Sequence, residues 1–412
     1  MEHDYINMLI IGNGFDLAHG RPTKYEHFLK FAEQIVRTKK YHRTKAEFES
    51  TMPDLHPDVK KYILSAFDTR RNPGSESGWN KNKMIQELYE CLDKNVWYEY
   101  FQLIYKENEI HGKNWIDFEA EIRWVIEFFD REIDDLYEQL PASLTSPQSV
   151  PIKIACFSKR LDFSEYNQQN EKGDSYKDTY YDLIEKTYQD LEKLIRCLEI
   201  YLDDCVGKIQ ISCYSPNIAN LEMIDAVSVL SFNYTEIPTN IYPSLKNVHH
   251  IHGCAKADRP AKENDMVLGV NEYWDKDEKD SRTNFNLYKK FVQRIIKETG
   301  IDYKYELEKM LSKHEKLKHL HSTTNGYIGV RYTNVIIFGH SLDVTDGDIL
   351  REVIGTEGVT TTIYYKDKQQ QANQIANLSK VLGQDELLRR VFSTSPTITF
   401  EQQKEMVPWQ GT

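Results

Sequence analysis

MLIIGNGFDLAHGRPTKY, residues 8–25, opens on a short apolar run, Met8 to Ile11, that breaks at Gly12 and is followed by Gly14, Gly20 and Pro22. An Ile-rich run of that length, closed by a glycine turn, reads as a buried strand of an open sheet. A strand ending in glycines that feeds a helix can present backbone N–H groups to a phosphate. The usual dinucleotide fingerprint has a third glycine three residues after the second. That position is Leu17, so the fingerprint fails. A plainer reading stands beside nucleotide binding, in which the glycines serve a tight turn and close helix packing.

Strand character returns far along the chain, at Ala226 to Phe232, Val248 to Ile251 and Thr333 to Phe338. It returns again at Thr360 to Tyr365 and, as an edge strand, at Thr397 to Phe400, with one more short strand at Met266 to Val270. Helices are expected from Asp346 to Ile354 and from Gln369 to Leu382. Strands alternating with helical segments define an α/β sheet. Residues 1–23 and 221–412 are read as its core, residues 24–220 as a large helical insertion, and residues 275–318 as a smaller one. Within the large insertion, helices are expected at Tyr25–Lys40, Met84–Tyr105 and Tyr176–Val206, with a mobile loop at Gly74–Gly78 and a polar link over 140–175. Trp115, Phe118, Ile122, Val125, Ile126 and Phe129 recur at helical spacing and form an apolar face. Asp117 and Glu119 near that helix start suit its positive end.

The 412 residues allow one large or two ordinary domains. Hydrophobic residues make up 40%, enough for a core, and 26 tyrosines suit partly wet helix packing. A net charge of −12 argues against nucleic acid as the partner. No apolar run approaches the ~20 residues of a membrane helix, and the first residues lack the basic and apolar regions of a signal peptide. The six cysteines form no CxxC pair, so free thiols in a reducing cytoplasm are expected rather than structural zinc.

In an α/β sheet of this kind ligands sit beyond the carboxyl ends of the strands. Four expected strands end in Gly12-Asn13-Gly14, Asn233, His252 and Gly339-His340-Ser341. An Asn amide there can hold a ribose hydroxyl or a water, or merely serve a turn. His252 can take a proton near neutral pH. His249 and His250 raise metal binding as an alternative; His250 and His252 could share a face, yet no further ligand is evident and no metal is expected. Ser341 and Asp343 read as ribose or phosphate contacts or as caps for the following helix.

GNGFDLAHGRPTKY, WIDFE, SFNYTE, HIHG and GHSLDVTDGDIL together resemble the AbiH family of bacterial phage abortive-infection proteins, from residue 8 to residue 350. The same pieces resemble the sirtuin-like NAD-binding fold. Gly12, Gly14, Gly20 and Pro22 keep the spacing of the sirtuin glycine turn. Asn233 followed by His252 and Gly253 is similar to its Asn and His-Gly steps, and Gly339 to Val344 is similar to its GTSL-x-V. Phe232 stands where sirtuins carry Gln, Thr235 where they carry Asp, and Asp16 where they carry a small hydroxyl residue. The sirtuin CxxC zinc module is missing, which argues against protein deacylation.

The resemblance implies a sirtuin-like, Rossmann-type, mostly parallel sheet with large helical insertions. It implies a cytoplasmic anti-phage effector that hydrolyses NAD as substrate. Asn233 would hold ribose or water and His252 would act as general base. Gly12, Asn13, Gly14, Asp16 and Gly20, with Gly339, His340, Ser341 and Asp343, would line the nucleotide site. A phage trigger is the implied partner; separately, the apolar-faced helices at Trp115–Phe129 and Tyr176–Val206 could pack on each other or on a second subunit. The competing readings are a nucleotide-binding sensor or switch without turnover, and a nucleic-acid-processing effector. The insertions are expected to restrain access to the site.

Overall fold

The computed structural model describes residues 6–40, 44–70, 83–143, 176–219, 221, 227–274, 278, 282–300, 303–305, 307–309, 312 and 333–409. They fall into two compact units. One joins Met1–Pro22, Ile209–Ala255 and Lys297–Thr412; the other joins Thr23–Lys208 and Lys256–Ile296.

The strands are β1 (Ile6–Ile11), β2 (Cys213–Tyr214), β3 (Val227–Ser231), β4 (Asn247–His250), β5 (Thr333–Phe338), β6 (Val359–Tyr365), β7 (Ile398–Gln402) and β8 (Val407–Pro408). β2 and β8 pair antiparallel as a small separate sheet. The other six form one sheet in the order β4-β3-β1-β5-β6-β7, and every pairing in it is parallel. In this doubly wound arrangement the order reverses beside β1, so the switch point lies between the carboxyl ends of β1 and β5. The β7 strand is at an edge, as expected for Thr397–Phe400.

The continuous apolar runs of β1 and β5 have a direct cause: both faces of the sheet are covered. Met8 and Ile10 join one hydrophobic cluster with Leu230, Val335 and Ile337, beneath Ile349, Leu350, Val353, Leu378 and Val381 of helices Gly347–Gly355 and Lys368–Leu382. Leu9 and Ile11 join the opposite cluster with Val229, Ile336 and Phe338, beneath Phe15, Ile218, Ile241 and Tyr242. A third helix on the first face, Gln384–Phe392, was not anticipated from the sequence. Met266–Val270 is not a strand: Val270 makes an isolated bridge to Lys289, and Gln293 ties down both backbone groups of Leu268.

In the second unit, helix Tyr176–Ile200 packs on helices Lys83–Leu92 and Val96–Ile110. The single helix expected over Met84–Tyr105 is two, because Asn95 caps the second by accepting the Tyr98 N–H at 3.0 Å. The helix from Tyr176 changes to π-helical winding at Tyr201–Val206. Tyr25, Phe118 and Phe101 form a three-ring stack with centroids 4.2 and 4.0 Å apart. Trp115, expected on the apolar face, precedes helix Phe118–Ser143 and is 59% exposed. Asp117 accepts the Ala120 N–H as a cap, whereas Glu119 pairs with the buried Lys290 at 2.8 Å. The helix continues through Pro141, where a polar link was expected to begin. The Gly74–Gly78 loop, the rest of the 140–175 link, and parts of the 275–318 segment lie outside the described residues.

A buried ionic network holds residues 256–265 to helix Tyr176–Ile200. Glu199, fully buried, accepts from Arg196 Nη1, Arg259 Nε and Asn264 Nδ2, each at 2.6 Å. Arg196 also reaches both carboxylate oxygens of Glu87 and the Ala257 carbonyl.

Candidate functional site at the carboxyl edge of the parallel sheet

All the strand ends singled out in the sequence lie at one edge of one sheet, because their strands are parallel. At the switch point the backbone is packed without room for side chains. A Cβ on Gly14 would lie 2.7 Å from Gly339 Cα, and one on Gly12 would lie 2.8 Å from His340 Cα. The Gly12 and Gly14 amides, which the sequence reading offers to a phosphate, donate to Phe338 O at 3.3 Å and Gly339 O at 2.7 Å. Asn13 between them is exposed. Gly20 is exposed in the turn after the short helix Asn13–Ala18, away from these contacts.

From this turn a continuous set of contacts runs across the edge. Asn233 is buried and donates from Nδ2 to Gly12 O at 3.0 Å. Its Oδ1 and second amide hydrogen retain bonding capacity. His250 Nδ1 lies 3.0 Å from Asn233 O. The Phe232 ring meets His340 edge-on at 4.5 Å and His252 at 5.6 Å between centroids. His252 and His340, both buried, converge on one carboxylate: Asp346 Oδ1 is 3.0 Å from His252 Nε2, and Oδ2 is 3.6 Å from His340 Nε2. The turn that delivers His340 is strained, since Leu342 has φ 59 with its side chain in the core. A non-glycine residue in the left-handed region costs on the order of 1–2 kcal/mol.

Ser341 is exposed, its carbonyl held by Asn377 Nδ2. Asp343 accepts the Thr345 N–H and caps the short turn Val344–Asp346. The carboxylate of Asp16 turns into the protein, accepting from Thr235 Oγ1 at 2.6 Å and Arg21 Nη1 at 3.3 Å. Burial pushes the Asp16 carboxyl above its usual range, against the opposing pull of Arg21 and Thr235. Asp16 and Thr235, two departures from the sirtuin pattern, are thus the two ends of one hydrogen bond. His19 lies beneath this cluster. Its Nδ1–H donates to Phe15 O at 2.7 Å, and its Nε2 accepts from the Tyr242 hydroxyl at 2.8 Å. Burial lowers its pKa to about 4, so it is a neutral structural histidine.

The sequence reading missed Asp346 as a histidine partner and the Arg21–Asp16–Thr235 and His19–Tyr242 contacts. Asp346 did carry a signal, an acidic residue opening a helix, but that signal reads equally as a cap. His250 ends its strand and His252 lies in the turn beyond, so alternation along a strand does not relate them. Among the described residues no group of three His, Cys, Asp or Glu side chains could hold a metal ion.

The fold and these contacts define a doubly wound α/β protein with a buried His–Asp–His cluster at the carboxyl edge of its sheet. The chain matches the model of the bacteriophage abortive infection AbiH family over residues 8–365 and belongs to that family. No curated protein and no solved structure matches it. Among the described residues no helix is long and apolar enough to cross a membrane.

Proposed function

We propose that this chain is an anti-phage effector that hydrolyses NAD+ to ADP-ribose and nicotinamide at the carboxyl edge of the sheet. The observation that carries the reading is the convergence, around one switch point, of the Gly12–Gly14 turn, Asn233, His252 and the Gly339–Ser341 turn. The strand order is that of doubly wound dinucleotide-binding sheets, and the Asp16–Thr235 bond accounts for two departures from the sirtuin pattern as one exchange.

The chemistry is a substitution at the ribose carbon. The bond to the nicotinamide nitrogen breaks through an oxocarbenium-like state, and water adds on the ribose. His252 takes the proton of the attacking oxygen. Asn233 orients the ribose or the water, and the burial of Asn233, His252 and His340 excludes competing solvent. With the Gly12 and Gly14 amides engaged inside the protein, Asn13 and the Gly339–Ser341 turn are the phosphate contacts in this reading.

The test is a mass-spectrometric survey of nucleotides in cells expressing the chain, before and after phage challenge, with His252→Ala alongside. NAD+ should fall and ADP-ribose and nicotinamide rise after challenge. In purified activated protein His252→Ala should slow turnover by roughly 10²–10⁴-fold. Unchanged NAD+ in infected cells in which the chain still confers protection would overturn the hydrolase reading. A bound but intact nucleotide would then support a switch.

A further inference from the structure

We propose that Asp346 is a positioning residue that fixes His252 as the Nε2–H tautomer, so that Nδ1 is the atom that accepts the proton. Its role in turnover rests on the hydrolase reading above; the tautomer itself does not.

The assignment follows from donors and acceptors. The Leu342 backbone N–H donates to His340 Nδ1 at 2.9 Å. Nδ1 is therefore the acceptor of that ring, and in the neutral imidazole the proton sits on Nε2. That N–H faces Asp346 Oδ2. An ionised carboxylate only accepts, so its other oxygen, 3.0 Å from His252 Nε2, takes a second N–H. Asp346 occupies the cap position of helix Gly347–Gly355 but makes no side-chain cap bond there. Its carboxylate is directed to the histidines instead of the helix.

A histidine held by a carboxylate on one nitrogen presents the other as base, and the carboxylate stabilises the imidazolium that forms. In the proposed reaction, Nδ1 takes a proton from the attacking water as its oxygen bonds to the ribose carbon and the nicotinamide nitrogen leaves with the bonding pair. Nδ1 is covered in this structure, so its engagement requires the substrate to displace what covers it. Among the described residues, the ionisable groups about the His252 ring include Asp346, shared with His340, from the β5 side and Tyr234 with ring centroids 6.4 Å away, and His250 lies two residues earlier in the chain.

The experiment uses the full chain labelled with ¹⁵N-histidine. Two-bond ¹H–¹⁵N spectra identify His252 by the signals lost in His252→Gln. Wild type should show protonated Nε2 and unprotonated Nδ1 when neutral. Asp346→Asn, isosteric and still folded by thermal melt, should lose that preference. In activated protein it should lower kcat by roughly 10–10²-fold with little change in KM. Loss of the carboxylate should move the acid limb of the pH profile down by about one unit. Nδ1–H in wild type would overturn the proposal whatever the variants do, as would an unchanged tautomer and acid limb in Asp346→Asn. The expected tautomer with no NAD+ turnover in any form would instead uphold the positioning and reject the reaction.

Discussion

A side chain on Gly14 would meet Gly339 backbone at 2.7–2.8 Å, atoms that cannot rotate away. Gly14→Ala should therefore destabilise the protein by roughly 1–3 kcal/mol, read as a lower denaturation midpoint, even in buffer without nucleotide. A binding defect in that variant would report the broken turn before any phosphate contact. His19 gives a second residue-scale prediction. Its folded pKa of about 4 lies below the unfolded 6.5, so the unfolded chain binds more protons in between. Its contribution is fully present above about pH 6.5 and is lost as pH falls toward 4, on the order of 3 kcal/mol over that window. Urea unfolding at pH 7 and pH 4.5 should show a smaller pH difference for His19→Gln than for wild type. Equal differences would mean that His19 is charged in the fold.

At the scale of elements, helix Tyr176–Ile200 is tied to residues 256–265 by charge as well as by apolar packing. Glu199→Ala removes one acceptor from Arg196, Arg259 and Asn264 at once. Leaving buried guanidinium groups without it should cost roughly 3–5 kcal/mol, measurable by thermal or urea unfolding; a loss under about 1 kcal/mol would show that water or Glu87 substitutes. The thiols should differ in reactivity, Cys91 and Cys197 on helices of this unit and Cys213 on β2 of the other. The Cys197 thiol hydrogen-bonds Cys91 and holds it below the usual range, and Cys91 is half-buried; burial pushes Cys197 and Cys213 up. Iodoacetamide should therefore modify Cys91 ahead of Cys197 and Cys213, as peptide mass spectrometry of the native protein can read. Preferential labelling of Cys197 would show that the helices open there.

For the whole molecule, the charge of −12 sets an expectation about partners. At about 0.15 M salt the purified chain should show no retention on duplex DNA with the steep salt dependence of phosphate neutralisation. Tight, salt-sensitive binding would revive the nucleic-acid reading and expose a local basic surface that net charge conceals.

Sequence by itself determined the central strands β1, β3, β5 and β6 and where they end. Met8–Ile11 and Val335–Phe338 are apolar at consecutive positions because both faces of a parallel strand are covered, and a polar or glycine residue must follow where the cover stops. It also determined the family, since the matching motifs are local strings. It did not reveal helix Gln384–Phe392, which is too short for its apolar residues to show a sustained helical period, or the break at Asn95, where a cap competes with continued helix. Only the tertiary structure decided what the motif residues touch. The Asp16–Thr235 bond spans 219 residues and the His252–Asp346 contact 94. A carboxylate's choice between capping its own helix and holding a distant histidine depends on which strand lies beside it, and strand order is not written in local periodicity.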